Sequence, residues 1–300
     1  MNDMDFAPLQ PDFLVSRLQS PKPGIHVVLD TDTYNELDDP YALVYALRSP
    51  ELILDAVYAA PFHNDRSNGP KDGMEKSYRQ ILEILELLGE ERPVFKGSER
   101  WMTSLHDPVE SPAARDLVER AMSAEEPLYV AAIGAPTNVA SALLLEPRIR
   151  EKIVVVWLGG HALHMPKTDE FNMAQDYYAS RILLDSGVPL VILPCMGVVS
   201  HLAVTLPELE QRLAGKGQCG QYLLRITKEQ MEHYGNWSRV IWDIAVIGWL
   251  CGEKGCQSGL IPSPVLNPGF TYSADITRHP VRYIRFVQRD DIFNDLYSKL

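Results

Sequence analysis

Short apolar runs alternate with stretches of helical character along most of the chain, and this alternation constrains the fold more than any other feature. The runs are continuous and rich in β-branched residues, as expected of strands that are buried on both faces of a sheet. They cover residues 25–30, 52–60, 127–134, 152–160 and 189–194. The predicted helices cover residues 40–48, 73–89, 136–147 and 172–187. This order predicts an α/β fold with a mostly parallel sheet and helices on both faces.

The two ends of the chain set the expected bounds of the α/β domain. Residues 1–24 contain four prolines and are predicted to be a lead-in segment, followed by a single α/β domain over residues 25–300. A chain of 300 residues is long enough to bury a sizeable core. Residues 261–300, including the basic stretch of Arg278, Arg282, Arg285 and Arg289, carry no assignable motif, and the alternate-residue spacing there predicts a surface strand followed by a short helix.

Charge and hydropathy argue against two classes of partner. The chain has 40 acidic and 28 basic residues, a net charge of −12, and no basic run, so we expect no nucleic-acid partner. No apolar run approaches the roughly 20 residues that cross a bilayer, and the N-terminus lacks the apolar stretch of a signal peptide. These features predict no membrane partner and a cytoplasmic location.

An acidic segment directly follows the first predicted strand. Residues 30–39 read DTDTYNELDD, and their five carboxylates belong to Asp30, Asp32, Glu36, Asp38 and Asp39. Charges this close repel one another unless a cation or hydrogen bonds neutralise them, and clustered carboxylates suit a hard cation such as Ca²⁺ or Mg²⁺. Ligands of parallel α/β sheets bind at the carboxyl ends of strands, which makes the segment a candidate metal site. The simpler alternative is an acidic loop that favours the N-terminus of the next helix.

Further motifs follow in an order that resembles the inosine–uridine-type nucleoside hydrolases. The acidic segment is similar to that family's Asp-Thr-Asp-Pro-Gly-x-Asp-Asp motif, but it is two residues longer and lacks the Pro-Gly. Later family motifs are resembled by residues 93–98 (PVFKGS), 133–143 (IGAPTNVASAL), 157–180 (containing EFN) and 242–250 (WDIAVIGWL). The resemblance implies the Rossmann-like nucleoside hydrolase fold and hydrolysis of ribonucleosides to ribose and free base.

The same resemblance implies a Ca²⁺ site and a general base. Asp32, Asp39, Asp243 and the main-chain carbonyl of Thr137 match the family positions that hold the ion. Asp32 would also take the proton of the attacking water molecule.

Other positions are implied to bind the ribose. Asp38, Glu170 and Asn172 match the family residues that contact its hydroxyl groups. A further family asparagine follows the second strand, where this chain has His63 and then Asn64, and we favour Asn64. Taken alone, Glu170 and Asn172 would equally suit a polar loop that leads into a helix.

Candidates for contact with the base are fewer. Trp242 stands where purine-preferring members of the family carry an aromatic residue and many others carry histidine, which implies an indole that stacks on a purine. The alternative for Trp242 is plain core packing. His161 and His164 follow a strand in a glycine-rich stretch and are candidate acids for the leaving base, and Tyr34 could contact the base.

Two other functions remain open on the sequence. Residues 30–33 (DTDT) partly fit the motif of haloacid dehalogenase-type phosphatases, which would use Mg²⁺, Asp30 as nucleophile and Asp290–Asp291 as the late acidic pair. The other alternative is a non-catalytic protein of the hydrolase fold that binds nucleosides or sugars. The resemblance further implies a homo-oligomer, either a dimer or a tetramer.

Overall fold

Strands and helices follow one another in the predicted alternating order in the computed structural model, which describes residues 6–300. The strands are β1 (Ile25–Thr31), β2 (Leu52–Ala59), β3 (Val94–Lys96), β4 (Leu128–Ala132), β5 (Ile153–Leu158), β6 (Leu190–Leu193), β7 (Ala203–Thr205), β8 (Ser238–Val240), β9 (Cys256–Pro262), β10 (Val265–Asn267), β11 (Thr271–Ser273) and β12 (Pro280–Val287). The helices are α1 (Pro11–Arg17), α2 (Asp38–Arg48), α3 (Pro70–Leu88), α4 (Pro112–Ser123), α5 (Thr137–Leu145), α6 (Phe171–Gln175), α7 (Tyr177–Asp185), α8 (Leu206–Leu213), α9 (Gly217–Tyr234), α10 (Ile244–Leu250) and α11 (Arg289–Lys299).

Eight of the strands form the central sheet, in the order β3-β2-β1-β4-β5-β6-β12-β9. Neighbouring strands run parallel except β12 and β9, which are antiparallel. Two small antiparallel pairs, β10–β11 and β7–β8, lie outside this sheet. The predicted α/β fold with a mostly parallel sheet is therefore confirmed.

The strand order reverses at β1. The chain adds β2 and β3 on one side of β1 and then places β4 on its other side. Such a reversal opens a crevice at the carboxyl ends of the two diverging strands, which is where α/β proteins bind ligands. The main-chain N–H of Ile133 donates to the carbonyl of Asp30 (2.9 Å), and that of Ala60 donates to the carbonyl of Thr31 (2.8 Å). The segments that follow β1, β2 and β4 are thus held together at one edge.

Alternate residues of each strand feed two apolar layers, one on each face of the sheet. Val27, Leu29 and Val156 belong to the layer that also contains residues of α2 and α10. Val28 and Val130 belong to the opposite layer, together with residues of α4, α5 and α7. Full burial of such a side chain contributes about 1.5–3 kcal/mol, so this two-sided packing is what fixes the sheet and its crevice.

The predicted helix over residues 172–187 is instead two helices, α6 and α7, which meet at Asp176. The Asp176 carboxylate accepts hydrogen bonds from the N–H groups of Ala179 and Met102, both at 3.0 Å, and so caps α7. An aspartate that binds backbone donors locally competes with helix continuation, and hydrophobic spacing does not reveal this competition. The break allows the short helix α6 to begin at the edge of the crevice.

The prediction of a surface strand within residues 261–300 was wrong. Strand β12 lies inside the central sheet between β6 and β9, and its Val281, Ile284 and Val287 are buried. A helix, α11, does follow it. Arg282 and Arg285 of β12 are three residues apart, so they do not mark one exposed side of the strand, because the side chains of a strand alternate between its two sides.

Residues 6–24 pack against the sheet through α1. Leu14 and Leu18 are buried, and the Arg282 guanidinium donates to the carbonyl of Leu18. A domain boundary at residue 24 stays a prediction. None of the described helices combines the length and the hydropathy that crossing a membrane requires.

Candidate active site

A cavity of about 200 Å³ opens at the crevice between β1 and β4. Six carboxylate side chains line it: Asp32, Glu36, Asp38, Asp39, Glu170 and Asp243. The other lining residues are Asn35, Ile133, Leu158, His161, Phe171, Asn172, Cys195, Met196 and Trp242. Among the residues that the structure describes, no lysine or arginine lines this cavity. The negative electrostatic potential of the cavity therefore favours a cation and disfavours a phosphorylated ligand.

The acidic segment enters the cavity from the end of β1 and the first turn of α2. Helix α2 begins at Asp38, two residues before the predicted start at Pro40, and a proline is tolerated in a first turn because its missing N–H has no helical partner. One oxygen of Asp39 accepts hydrogen bonds from the Thr31 hydroxyl (2.6 Å) and from the main-chain N–H of Asp32 (3.1 Å). These bonds fix Asp39 beside Asp32.

Three aspartates form a cluster that can hold a metal ion. One carboxylate oxygen each from Asp38, Asp39 and Asp243 lies within 4.8 Å of the other two, and all three residues are buried. Asp32 lines the same cavity, and neither of its buried carboxylate oxygens has a hydrogen-bond partner in the described part of the chain. An ionised carboxylate left buried without a partner is costly, so this donor set fits a hard cation that prefers oxygen ligands.

Burial and mutual repulsion set the protonation of this cluster. Desolvation raises the pKa of Asp32, Asp38 and Asp243 well above the ordinary aspartate value, and the neighbouring carboxylates raise each of them further. Desolvation also raises the pKa of Asp39, to about 7. In a metal-free chain the cluster therefore retains protons near neutral pH, whereas a bound cation would favour the ionised forms.

The predicted metal ligand Thr137 is not brought to the cavity. It is fully buried at the start of α5, and its hydroxyl donates to Asp176 at 2.8 Å. From the same loop it is Ile133 that lines the cavity. A Cβ atom at Gly134 would lie 2.9 Å from the Cβ of Ala60 and 3.1 Å from a carboxylate oxygen of Asp32, so the glycine lets the main chain of this loop pass close to Asp32.

Glu170 and Asn172, predicted to bind ribose, lie together at the start of α6. The Glu170 carboxylate accepts hydrogen bonds from the N–H groups of Asn172 (2.9 Å), Met173 (3.1 Å) and Gly160 (2.9 Å). Burial raises the pKa of Glu170 to about 7, although these hydrogen bonds lower it. The Asn172 amide group donates to the carbonyls of Ile133 and Leu158, both at 3.1 Å, which leaves its side-chain oxygen available to accept from a hydroxyl group.

Asn64 does not line the cavity, and its neighbour His63 is exposed. The Asn64 amide group donates to the side-chain oxygen of Asn35 at 2.7 Å, and Asn35 lines the cavity. Asn35 was missed in the sequence analysis. The signal was the lengthened acidic segment itself, in which Asn35 is the one amide side chain and can both donate and accept hydrogen bonds.

Trp242 lies at the mouth of the cavity with His161, Phe171 and Met196. These four side chains are partly or largely exposed, in contrast to the buried aspartates. The mouth therefore offers an apolar and aromatic surface above an acidic floor.

The residues of the alternative functions lie elsewhere. Asp30 is fully buried beneath the cavity lining, and one of its carboxylate oxygens accepts from the Asn138 amide group at 2.8 Å. Asp290 and Asp291 occupy the exposed first turn of α11. Neither a phosphatase nucleophile nor its late acidic pair is thus brought to the site.

Two candidates for contact with the leaving base also lie outside the cavity lining. His164 is exposed and Tyr34 packs against the Arg66 guanidinium, and neither lines the cavity.

Curated relatives align with most of the chain. A pyrimidine-specific ribonucleoside hydrolase, RihB, of Escherichia coli is 24% identical over 255 residues, which cover 77% of this chain and 80% of the relative. A non-specific ribonucleoside hydrolase, RihC, of Salmonella is 24% identical over 257 residues, which cover 76% of this chain and 78% of the relative.

Solved structures share the fold. A purine-preferring ribonucleoside hydrolase from Gardnerella vaginalis superposes with a TM-score of 0.75 at 21% identity, over 91% of this chain and 97% of that one. A plant nucleoside hydrolase superposes with a TM-score of 0.69 at 19% identity, over 92% of this chain and 99% of that one.

The family model described as inosine-uridine preferring nucleoside hydrolase matches residues 27–273. This range contains every residue that lines the cavity. The resemblance that the motifs indicated is confirmed: the chain belongs to the inosine-uridine preferring nucleoside hydrolase family.

Proposed function

We propose that this nucleoside N-ribohydrolase uses Ca²⁺ to hydrolyse the N-glycosidic bond of ribonucleosides and that it prefers purine bases. The observation that carries the proposal is the buried carboxylate of Asp32, which has no described partner and lies beside the cluster of Asp38, Asp39 and Asp243. Family membership supports the hydrolysis, and the acidic cluster supports the metal.

The cation would be held by Asp32, Asp39 and Asp243, together with a main-chain carbonyl from the loop after β4. The family resemblance assigns that carbonyl to Thr137, while the loop residue that lines the cavity is Ile133. When bound, a divalent cation lowers the pKa of a coordinated water molecule and orients it. Oxygen ligands and carboxylate charge favour Ca²⁺ or Mg²⁺ over softer metals, and the irregular carboxylate set favours the more flexible coordination of Ca²⁺.

In this proposal Asp32 would accept the proton of the attacking water. Its carboxylate lines the cavity, is free of other hydrogen bonds in the described part of the chain, and is held by the close approach of Gly134. A general base needs a free acceptor oxygen within reach of the water, and its neighbours Asp38 and Asp39 are tied to the first turn of α2.

The ribose would lie between the acidic floor and α6. Asn172 offers a side-chain oxygen to a hydroxyl group, and the Glu170 and Asp38 carboxylates offer further acceptors. Cleavage of an N-ribosidic bond passes through a sugar cation, so negative charge on both sides of the ring also stabilises the transition state. The Asn35 amide, supported by Asn64, supplies a polar group that the shorter family loop would lack.

The test is base release from inosine, adenosine, guanosine, uridine and cytidine in the presence of Ca²⁺. We expect release from the purine nucleosides with the highest kcat/KM and no release of phosphate from phosphomonoesters. Nucleosides that bind without any base release would instead support a non-catalytic binding protein of this fold. A ranking headed by pyrimidines would contradict the purine preference alone.

Replacement of Trp242 by Ala is expected to lower kcat/KM for purine nucleosides by roughly 10- to 100-fold, because stacking on an aromatic side chain contributes about 1–3 kcal/mol per base. The loss should be smaller for uridine, whose ring offers less stacking area. Trp242→Phe should restore part of the activity. Trp237→Ala is the matched control, because that indole is 92% exposed and lies outside the cavity lining. Equal losses for inosine and uridine would show that Trp242 only packs the core.

A homo-oligomer and a cytoplasmic location stay predictions. Light scattering coupled to size-exclusion chromatography distinguishes a monomer of 33.8 kDa from the expected dimer or tetramer.

A further inference from the structure

The cavity has two chemically different ends. Its floor is formed by buried carboxylates, and its mouth by the half-exposed side chains of His161, Phe171, Met196 and Trp242. The base of a nucleoside whose ribose lies on the floor must therefore lie among these four residues. His161 is the titratable one among them. Glu36, which also lines the cavity, forms an ion pair with Arg239.

The ring of His161 is oriented by its neighbours. The main-chain N–H of Met196 donates to Nδ1 of His161 at 3.4 Å, so in the neutral ring the proton resides on Nε2. Burial lowers the pKa of His161, which keeps the ring neutral at neutral pH. Nε2–H is then the hydrogen-bond donor that the side chain presents.

The main chain at His161 is tied to the ribose-binding residues. The N–H of His161 donates to the Thr168 hydroxyl at 2.8 Å, and the N–H of the preceding Gly160 donates to Glu170 at 2.9 Å. Gly160 has φ +71°, and a Cβ there would lie 2.5 Å from the Tyr272 hydroxyl oxygen, so this segment has little room to move. The imidazole is thus held in a fixed relation to the site predicted to bind ribose.

We propose that His161 donates a hydrogen bond from Nε2 to a ring acceptor of the leaving base. This inference rests on the proposed function. When the bond between ribose and base breaks, its electron pair remains on the base, and negative charge grows on the acceptor atoms of the ring. A fixed N–H donor stabilises that charge more in the transition state than in the substrate, and the proton stays on the imidazole throughout. His161 and Trp242 both line the mouth, so the imidazole and the indole would contact the same base.

The test compares two substrates in His161→Ala and His161→Gln. Inosine has a poor leaving group that needs the hydrogen bond, whereas 4-nitrophenyl riboside has a good leaving group that does not. We expect His161→Ala to lower kcat for inosine by roughly 10- to 100-fold, with a change below about 3-fold for 4-nitrophenyl riboside. The glutamine variant keeps an N–H donor and should recover part of the loss on inosine.

His164→Ala is the matched control, since this histidine belongs to the same loop but is exposed and does not line the cavity. Equal losses on both substrates, or no loss on inosine, would overturn the inference. Melting temperatures of the variants identify a misfolded protein, in which case the glutamine variant decides. If the wild-type protein cleaves neither substrate, the proposed function itself fails, whereas an active wild type with an unaffected His161→Ala contradicts only the role of His161.

Discussion

Asp32→Asn is expected to reduce kcat for nucleoside hydrolysis by at least about 10³-fold and, at the same time, to raise the melting temperature of the metal-free protein. The amide cannot accept a proton from water, and the loss of a general base typically costs 10²–10⁴-fold, to which the loss of a metal ligand adds. Since Asp32 is buried beside Asp38 and Asp39 and has no described hydrogen-bond partner, it destabilises the metal-free fold, either as a buried charge or because it must hold a proton well above the ordinary aspartate pKa.

The two readouts have opposite signs, which separates a catalytic role from a structural one. A residue that only supports the fold would lose activity and stability together. Base release and thermal unfolding in excess chelator measure the two effects on the same preparation. Asp12→Asn is the control, because Asp12 is exposed on α1 and its substitution should change neither. An Asp32→Asn protein that melts lower than the wild type without metal would contradict this account of the cluster.

Calcium is expected to raise the melting temperature by several degrees, and chelation is expected to abolish base release. A ligand at 100 times its dissociation constant stabilises a fold by about 2.7 kcal/mol, and roughly 2–4 °C per kcal/mol is typical for chains of 150–250 residues. Differential scanning fluorimetry with Ca²⁺, Mg²⁺ and Zn²⁺ measures the effect and ranks the metals. In Asp243→Asn the calcium shift should be much smaller, because one member of the cluster is lost.

The calcium shift should also depend on pH. The raised pKa of Asp39, about 7, means that the folded metal-free cluster binds more protons than the unfolded chain. The metal-free fold therefore loses stability as pH rises through this value, while protons compete with the cation below it. We expect a larger shift at pH 8 than at pH 6. Equal shifts at the two pH values would place the cation elsewhere.

The fold was predictable because its central strands are buried on both faces. Continuous runs such as residues 152–160 have few other structural uses, and their alternation with helices leaves a parallel sheet as the natural arrangement. A strand was expected within residues 261–300, but its place inside the sheet was not, because β12 pairs in parallel with β6, which lies far earlier in the chain, as well as with β9. Pairing between distant segments leaves no local pattern.

The candidate site was predictable in its position and less so in its individual contacts. Asp32, Asp39 and Asp243 are brought to one cavity because they follow β1 or precede α10. Thr137 and Asn64 were assigned from motif position, which gives a place in the chain but not the direction in which a carbonyl or an amide points. In the structure the Thr137 hydroxyl donates to Asp176 and the Asn64 amide donates to Asn35, while metal binding by the Thr137 carbonyl stays a prediction.

The place of β12 within the sheet bears on how the molecule is made. Strand β6 has β5 on one side, and its other edge stays unpaired until residues 280–287 have been synthesised. The crevice between β1 and β4 can be outlined from the first half of the chain, yet the nascent protein exposes the apolar edge of β6 from the time that strand is made until β12 follows. Such edges pair readily with other strands, so the last sheet strand to emerge from the ribosome protects the folding chain from aggregation.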